Sequence, residues 1–223
     1  MWLFNSSIGR KVVMSVTGIA LILFLTFHMS MNVVALFSGE AYNMICEMLG
    51  ANWYAVVATM GLAALAVLHI VYAFILTAQN KAARGAERYA VTEKPSKVEW
   101  ASQNMLVLGI IVLVGLLIHL YHFWSKMMLV ELMGAGDLAH AADGAFWIQQ
   151  TFSDAVNVVL YIVWLCALWF HLTHGFWSAM QTIGLNGKTW FCRMKVISMC
   201  YATLLFAGFI AVVLWFYVSS LCC

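Results

Sequence analysis

Of the seven histidines, four, His28, His69, His119 and His171, each lie well inside a different long apolar stretch. An ionisable side chain in hydrocarbon is costly and marks a functional site by default. A neutral imidazole carries a nitrogen lone pair suited to a metal ion. Four such rings on four separate stretches suggest two bis-histidine metal sites. Cysteine chemistry does not compete: Cys46, Cys166, Cys192, Cys200, Cys222 and Cys223 form no CxxC or CxxCH pattern. A cysteine-held zinc, an iron–sulfur cluster or covalent haem attachment is therefore disfavoured. These cysteines are expected to pack as small apolar residues.

The elements that must hold the histidines follow from composition. The chain is 65% hydrophobic and 9% charged, against about 25% charged residues in an ordinary soluble domain. Lipid is its main solvent, and the net charge of +2 gives no reason to expect nucleic acid. Five apolar stretches, near 12–37, 53–79, 102–124, 155–180 and 196–220, exceed the roughly 20 residues needed to cross a hydrocarbon core. The expected fold is all-α: a polytopic membrane protein, residues 1–223 forming one domain, with five transmembrane helices of which four make a ligand-binding bundle. The first stretch is too long for a signal peptide and is expected to remain as a helix.

Charge sets the orientation. Arg10, Lys11, Lys81, Arg84, Arg88, Lys94, Lys97, Lys188, Arg193 and Lys195 fall on one side, and Lys126 alone on the other. Cytoplasmic loops carry the basic excess, so the N-terminus is expected inside and the C-terminus outside. The acids are sorted the other way: Glu40, Glu47, Glu131, Asp137, Asp143 and Asp154 lie on the outer side, with Glu87, Glu93 and Glu99 inside. Within the long outer connection, about 125–154, MMLVEL and FWIQQTF read as short interfacial helices, with Trp147 suited to the headgroup boundary.

Depth sorts the histidines. At about 1.5 Å rise per residue, His28 lies about 25 Å beyond Lys11, and His119 about 24 Å beyond Gln103. On the inward-running helices, His69 lies about 18 Å before Lys81 and His171 about 15 Å before Gln181. The expected pairs are His28 with His119 in an outer layer, and His69 with His171 in an inner one. Each pair could give one nitrogen per ring to a haem iron, the other ring nitrogen donating to an acceptor. Gly18, Gly61, Gly109 and Gly115 could let a flat macrocycle approach the helices. His122 and His174 sit three residues beyond a proposed ligand and share its helix face, so spacing alone leaves them as alternatives. His140, in the outer loop, is expected to be solvated.

These segments resemble the membrane cytochrome b subunit of succinate:quinone oxidoreductases, the succinate dehydrogenases and fumarate reductases, in its single-chain, five-helix, two-haem form. The carrying motifs are TGIALILFLTFHMSMN with His28 and Asn32, AVLHIVYAF with His69, GLLIHLYHFW, and FHLTHGFWSAMQTIGLN. They span about residues 10–195. The resemblance selects His119 over His122 and His171 over His174. In some family members a glutamate two residues before the fourth ligand serves a proton route; Trp169 stands there.

The resemblance implies two b haems, His28 and His119 holding the outer iron and His69 and His171 the inner. It also implies menaquinone or menaquinol as substrate, with menaquinol oxidised near the outer haem and electrons delivered inward, or the reverse in a succinate dehydrogenase. The implied partners are a flavoprotein subunit and an iron–sulfur subunit on the cytoplasmic side of a bacterial or archaeal inner membrane, with a dimer of the heterotrimer as a further assembly. The chain then anchors and passes electrons, with no dicarboxylate chemistry of its own. Glu40 and Glu47 are candidate proton acceptors for quinol, and Ser15, Trp100 and Lys188 candidate partners of haem propionates. The rivals are the cytochrome b of a hydrogenase or nitrate reductase, and a haem-free transporter using histidines for protons. A cytochrome bc type needs two histidines one haem span apart on one helix; His119/His122 and His171/His174 are too close.

Overall fold

A computed structural model describes residues 6–84 and 99–222. Arg88, Lys94, Lys97, Glu87, Glu93 and Cys223 lie outside the described residues. The chain forms helices α1 (Ser7–Val34), α2 (Gly39–Met48), α3 (Trp53–Arg84), α4 (Trp100–Gln103), α5 (Met105–His119), a π segment (Leu120–Trp124), α6 (Met128–Met133), α7 (Gly144–Phe152), α8 (Ala155–Thr182) and α9 (Lys188–Leu221). No strand occurs among the described residues. Five helices are long and apolar enough to cross a membrane: α1, α3, α5 with its π continuation, α8 and α9. The protein is an all-α, multi-pass membrane protein.

Local chemistry starts and stops these helices. The Ser6 hydroxyl accepts from Gly9 N–H at 2.9 Å and Ser38 from Ala41 N–H at 3.1 Å, while Asp143 and Asp154 accept from Phe146 N–H and Val156 N–H. Each satisfies an orphan donor of a first helical turn. The helices outrun the apolar stretches: α9 begins at Lys188, not near 196, and α3 continues to Arg84. At 34 residues, α9 is about 50 Å long, beyond a hydrocarbon core of about 30 Å. Its first turns, with Lys188, Arg193 and Lys195, extend the helix past the apolar segment, because water tolerates a charged helix that lipid does not.

In the arrangement of spanning helices, α1 packs on α3, α3 on α5, α5 on α8, and α8 back on α1, forming a ring of four. Helix α9 lies outside the ring, packed along α8 and against α1. Ser198, fully buried on α9, donates to the carbonyls of Leu172 and Thr173 at 3.1 and 2.9 Å, pinning α9 to α8. Exposed apolar side chains such as Leu23, Val67, Val114, Val163 and Leu204 form an outward belt, as a lipid-facing surface requires.

The end of the bundle that carries the acids is closed by α2, α6 and α7. The segment around Glu40 and Glu47 is thus a capped helix rather than a loop. Asn43 ties it down: its amide donates to Asp143 Oδ1 at 2.7 Å and accepts from Ala145 N–H at 2.9 Å. The Glu131 carboxylate accepts from Ala51 N–H at 2.7 Å, joining α6 to the start of α3. Trp147 is 7% exposed, donates to His140 O at 2.8 Å, and lies under the Lys126 ammonium. The cap buries it because α7 packs inward against α9 and the π segment.

Candidate functional site

The four intramembrane histidines come from the four helices of the ring, and they meet across it. His28 of α1 and His119 of α5 have ring centroids 5.7 Å apart and planes at 87°. His69 of α3 and His171 of α8 have centroids 6.3 Å apart and planes at 67°. The sides of the ring run α1–α3–α5–α8, so each pair bridges a diagonal. Diagonal side chains share the bundle axis, the usual place for a buried cofactor or metal site.

The spacing suits one ion per pair. An ion held at about 2 Å by one nitrogen of each imidazole leaves the two ring centroids about 6 Å apart. Among the described residues no group of three or more His, Cys, Asp or Glu side chains could hold a metal ion. These are two-ligand sites, which suit a metal whose other ligands come from a macrocycle rather than from protein.

The surroundings of the two pairs differ. Around the inner pair the backbone is bare: a Cβ on Gly18 would stand 3.3 Å from His69 Cε1, and one on Gly109 3.9 Å from His171 Cε1. Buried Thr17 donates its hydroxyl proton to the carbonyls of Val13 and Met14 at 2.9 and 3.1 Å, leaving its oxygen free to accept. His69 Nδ1 lies 3.2 Å from that oxygen. Thr17 thereby holds the Nδ1–H tautomer, which turns the bare Nε2 lone pair to the axis.

Around the outer pair the walls are aromatic. Phe24 stacks on His28 at 5.3 Å and Phe209 lies 5.9 Å from it; Phe123 and Trp164 approach His119 at 5.1 and 5.5 Å. The Trp164 indole fills the notch of Gly115, where a Cβ would meet it at 2.0 Å, and donates to Val112 O at 3.0 Å. Gly115 therefore admits an indole, not a macrocycle edge; Gly61 has nothing within 4 Å.

The Nδ1 atoms of His119 and His171 are buried without a hydrogen-bond partner. Buried imidazoles normally satisfy their ring nitrogens. Each pair thus holds one ring nitrogen that no protein group satisfies. With the diagonal geometry and the bare glycines of the inner layer, the residues fit a bis-histidine haem at each level.

His122 and His174 take other roles. His122 lies in the π segment, where Ser125 N–H reaches back five residues to Leu120 O at 2.9 Å. The extra residue per turn carries His122 away from His119, stacked on Tyr161 with its Nδ1 3.2 Å from the phenol oxygen. Such single π turns interrupt helices at functional sites, and nothing in the apolar run LLIHLYHFW marked it. His174 faces the opposite end, its Nδ1 3.6 Å from Glu99, which also pairs with Lys195 at 2.6 Å. Partial burial opposes ionisation of Glu99, but hydrogen bonds and positive charge from Lys195 and His174 hold its carboxyl below the usual value. His140 is half-exposed and pairs with Asp137 at 3.0 Å.

Glu40 and Glu47 are exposed on α2 and line, with Asn43, Met44 and Asp143, an open groove of about 300 Å³. Ser15 is buried on α1, Trp100 packs on Phe170 at 5.1 Å, and Lys188 is exposed at the start of α9. No hydrogen bond or ring contact joins these three described residues. Trp169 points away from the axis and donates to Thr203 of α9 at 3.0 Å.

No protein-family model, curated protein or solved structure matches this chain.

Proposed function

We propose that this protein is the membrane anchor and di-haem cytochrome b subunit of a succinate:quinone oxidoreductase. In that role it passes electrons between menaquinone and a cytoplasmic iron–sulfur and flavoprotein pair. The observation that carries the proposal is the use of both diagonals of one four-helix ring by two histidine pairs, His28–His119 and His69–His171, at 5.7 and 6.3 Å. A transporter relaying protons has no need of two facing pairs at separate depths, each with an orphaned ring nitrogen.

His28 and His119 would hold one haem and His69 and His171 the other. Bound there, haem supplies reversible one-electron oxidation and reduction within hydrocarbon. The chain's own residues do the rest. Thr17 fixes the tautomer of His69, and the aromatic walls exclude water from His28 and His119. The carboxylates of Glu40 and Glu47 line the groove at the acidic end and accept the protons of a quinol there. In this reading the membrane is a bacterial or archaeal inner membrane, and the N-terminus and the projecting turns of α9, with Lys188 and Arg193, face the cytoplasm; the basic excess at that end supports this. Those turns meet the soluble subunits, and a dimer of the heterotrimer is the larger assembly.

The purified chain should bind two b-type haems, seen as reduced-minus-oxidised α-bands, and should co-purify with the two soluble subunits. Preparations without haem overturn the cytochrome proposal. Haem with hydrogenase or nitrate reductase subunits instead places the chain in another oxidoreductase. Glu40→Gln and Glu47→Gln variants with unchanged quinol oxidation would remove the acid role.

A further inference from the structure

A chain of side-chain contacts leads from the acidic-end cap to one histidine of the outer pair and to neither of the inner ones. Asn32, one turn after His28 on α1, donates its amide N–H to His28 O at 2.7 Å, with the same nitrogen 3.5 Å from His28 Nδ1. Because a carbonyl oxygen only accepts, this contact fixes which way the Asn32 amide points. Its Oδ1 then accepts from the hydroxyl of Tyr42 at 3.1 Å. Tyr42 is 8% exposed, and burial pushes its phenol well above the ordinary value, so it stays a neutral donor.

Tyr42 is itself held. A Cβ on Gly144 would stand 2.7 Å from its Cε1 and 2.4 Å from Cys46 Sγ, so the start of α7 presses on both side chains. Burial raises the Cys46 thiol to about 11, which keeps it uncharged in this contact. One residue along α2, Asn43 bonds Asp143 and Ala145 of α7. Glu40 and Glu47 flank this clamped segment on the same helix. Helix α2, its groove and the α1 turn that carries His28 are thus one connected body.

We propose that Asn32 and Tyr42 are positioning residues of the outer site. They tie the turn of α1 that carries His28 to the acidic-end helix, so that the groove with Glu40 and Glu47 and the backbone of His28 keep a fixed relation. This rests on the cytochrome reading. Neither residue touches the bound group; each acts through the backbone turn that carries His28.

The test is redox titration of the purified complex, following the two haem couples separately. The outer couple is identified as the one lost in His28→Ala. Tyr42→Phe, which keeps the buried ring, and Asn32→Ala should each change the outer reduction equilibrium about threefold or more, about 30 mV for a one-electron couple. The inner couple should not move, and it reports that the bundle is folded. The double variant should shift the outer couple no further than Asn32→Ala alone, since the two residues form one link. An outer couple unmoved in both single variants, or additive shifts in the double, overturns the inference while leaving the two haems in place. A wild-type complex without haem overturns the functional proposal, and this inference with it.

Discussion

The two histidine layers use the same residue type on the two diagonals of one helix ring, yet they are built from opposite materials. The inner layer is made of small residues, with Gly18 and Gly109 beside the rings and Thr17 as the one hydroxyl partner. The outer layer is made of large ones: Phe24, Phe123, Trp164 and Phe209 wall the rings, and an indole occupies the notch at Gly115. Within the inner pair, His69 meets a hydroxyl of the bundle itself, whereas the turn that carries His28 is tied to the cap through Asn32 and Tyr42. Two sites of equal ligand chemistry can therefore be tuned independently. Axial ligand identity is one lever on a haem, and hydrogen bonding and burial are the others.

The largest effects come from removing ligands. His69→Ala or His171→Ala should abolish one haem and leave the outer couple, while His28→Ala or His119→Ala should do the reverse. Haem content per chain and the surviving α-band check this. Loss of a haem in His122→Ala or His174→Ala, with both retained in the partner substitution, would break the pairing.

Next is Thr17→Val, which keeps the volume and removes the acceptor of His69 Nδ1. Losing such an outer partner costs roughly 10–100-fold in affinity for the bound group. Competition of the reduced chain against a haem acceptor should show this at the inner site alone. Equal weakening of both sites would show that the layers are not independent.

Gly115→Ala should act on the outer layer through packing. The added Cβ falls 2.0 Å from Trp164, so the indole must leave its notch and its bond to Val112 O. A cost of roughly 1–3 kcal/mol is expected for such overpacking, read as a lower melting midpoint in detergent. The outer α-band should broaden while the inner one is unchanged.

The smallest effect concerns Glu99 at the basic end. Its carboxyl is held below the usual 4.5 by Lys195 and His174, so the ionised form is favoured in the folded state. That contribution is complete above the ordinary carboxylate pKa and fades as pH falls through the lowered value. Wild type should lose melting temperature over that acid window, and Glu99→Gln should show a flatter profile. Because Glu99 is partly exposed and screened, the difference should be modest.

Much of the fold was legible because lipid imposes a simple rule: a span must be apolar and helical. The positions of His28, His69, His119 and His171 along their helices follow from rise per residue, and topology alone separates an outer from an inner layer. Legibility failed where a local event changed register or where water, not lipid, was the solvent. The π turn after His119 was invisible because any apolar run hides one extra residue. Helix α2 was missed because ten residues between two long apolar spans read as a connection, and α9 runs past its apolar segment on a charged stem. The burial of Trp147 within the cap was not legible, because amphipathic aromatics serve equally at headgroups and in buried caps.

By itself, then, the sequence determined five spanning helices, the segregation of charge between the two ends, and four costly histidines at two depths. Those depend on solvent and helical rise, which act residue by residue. Only the tertiary structure decided that the pairs lie on the two diagonals of one ring, that an indole takes the Gly115 notch, that the Thr17 hydroxyl meets His69 Nδ1, and that Tyr42 meets Asn32. Those depend on helix rotation and neighbour choice, which close packing fixes jointly for many residues and no single segment encodes.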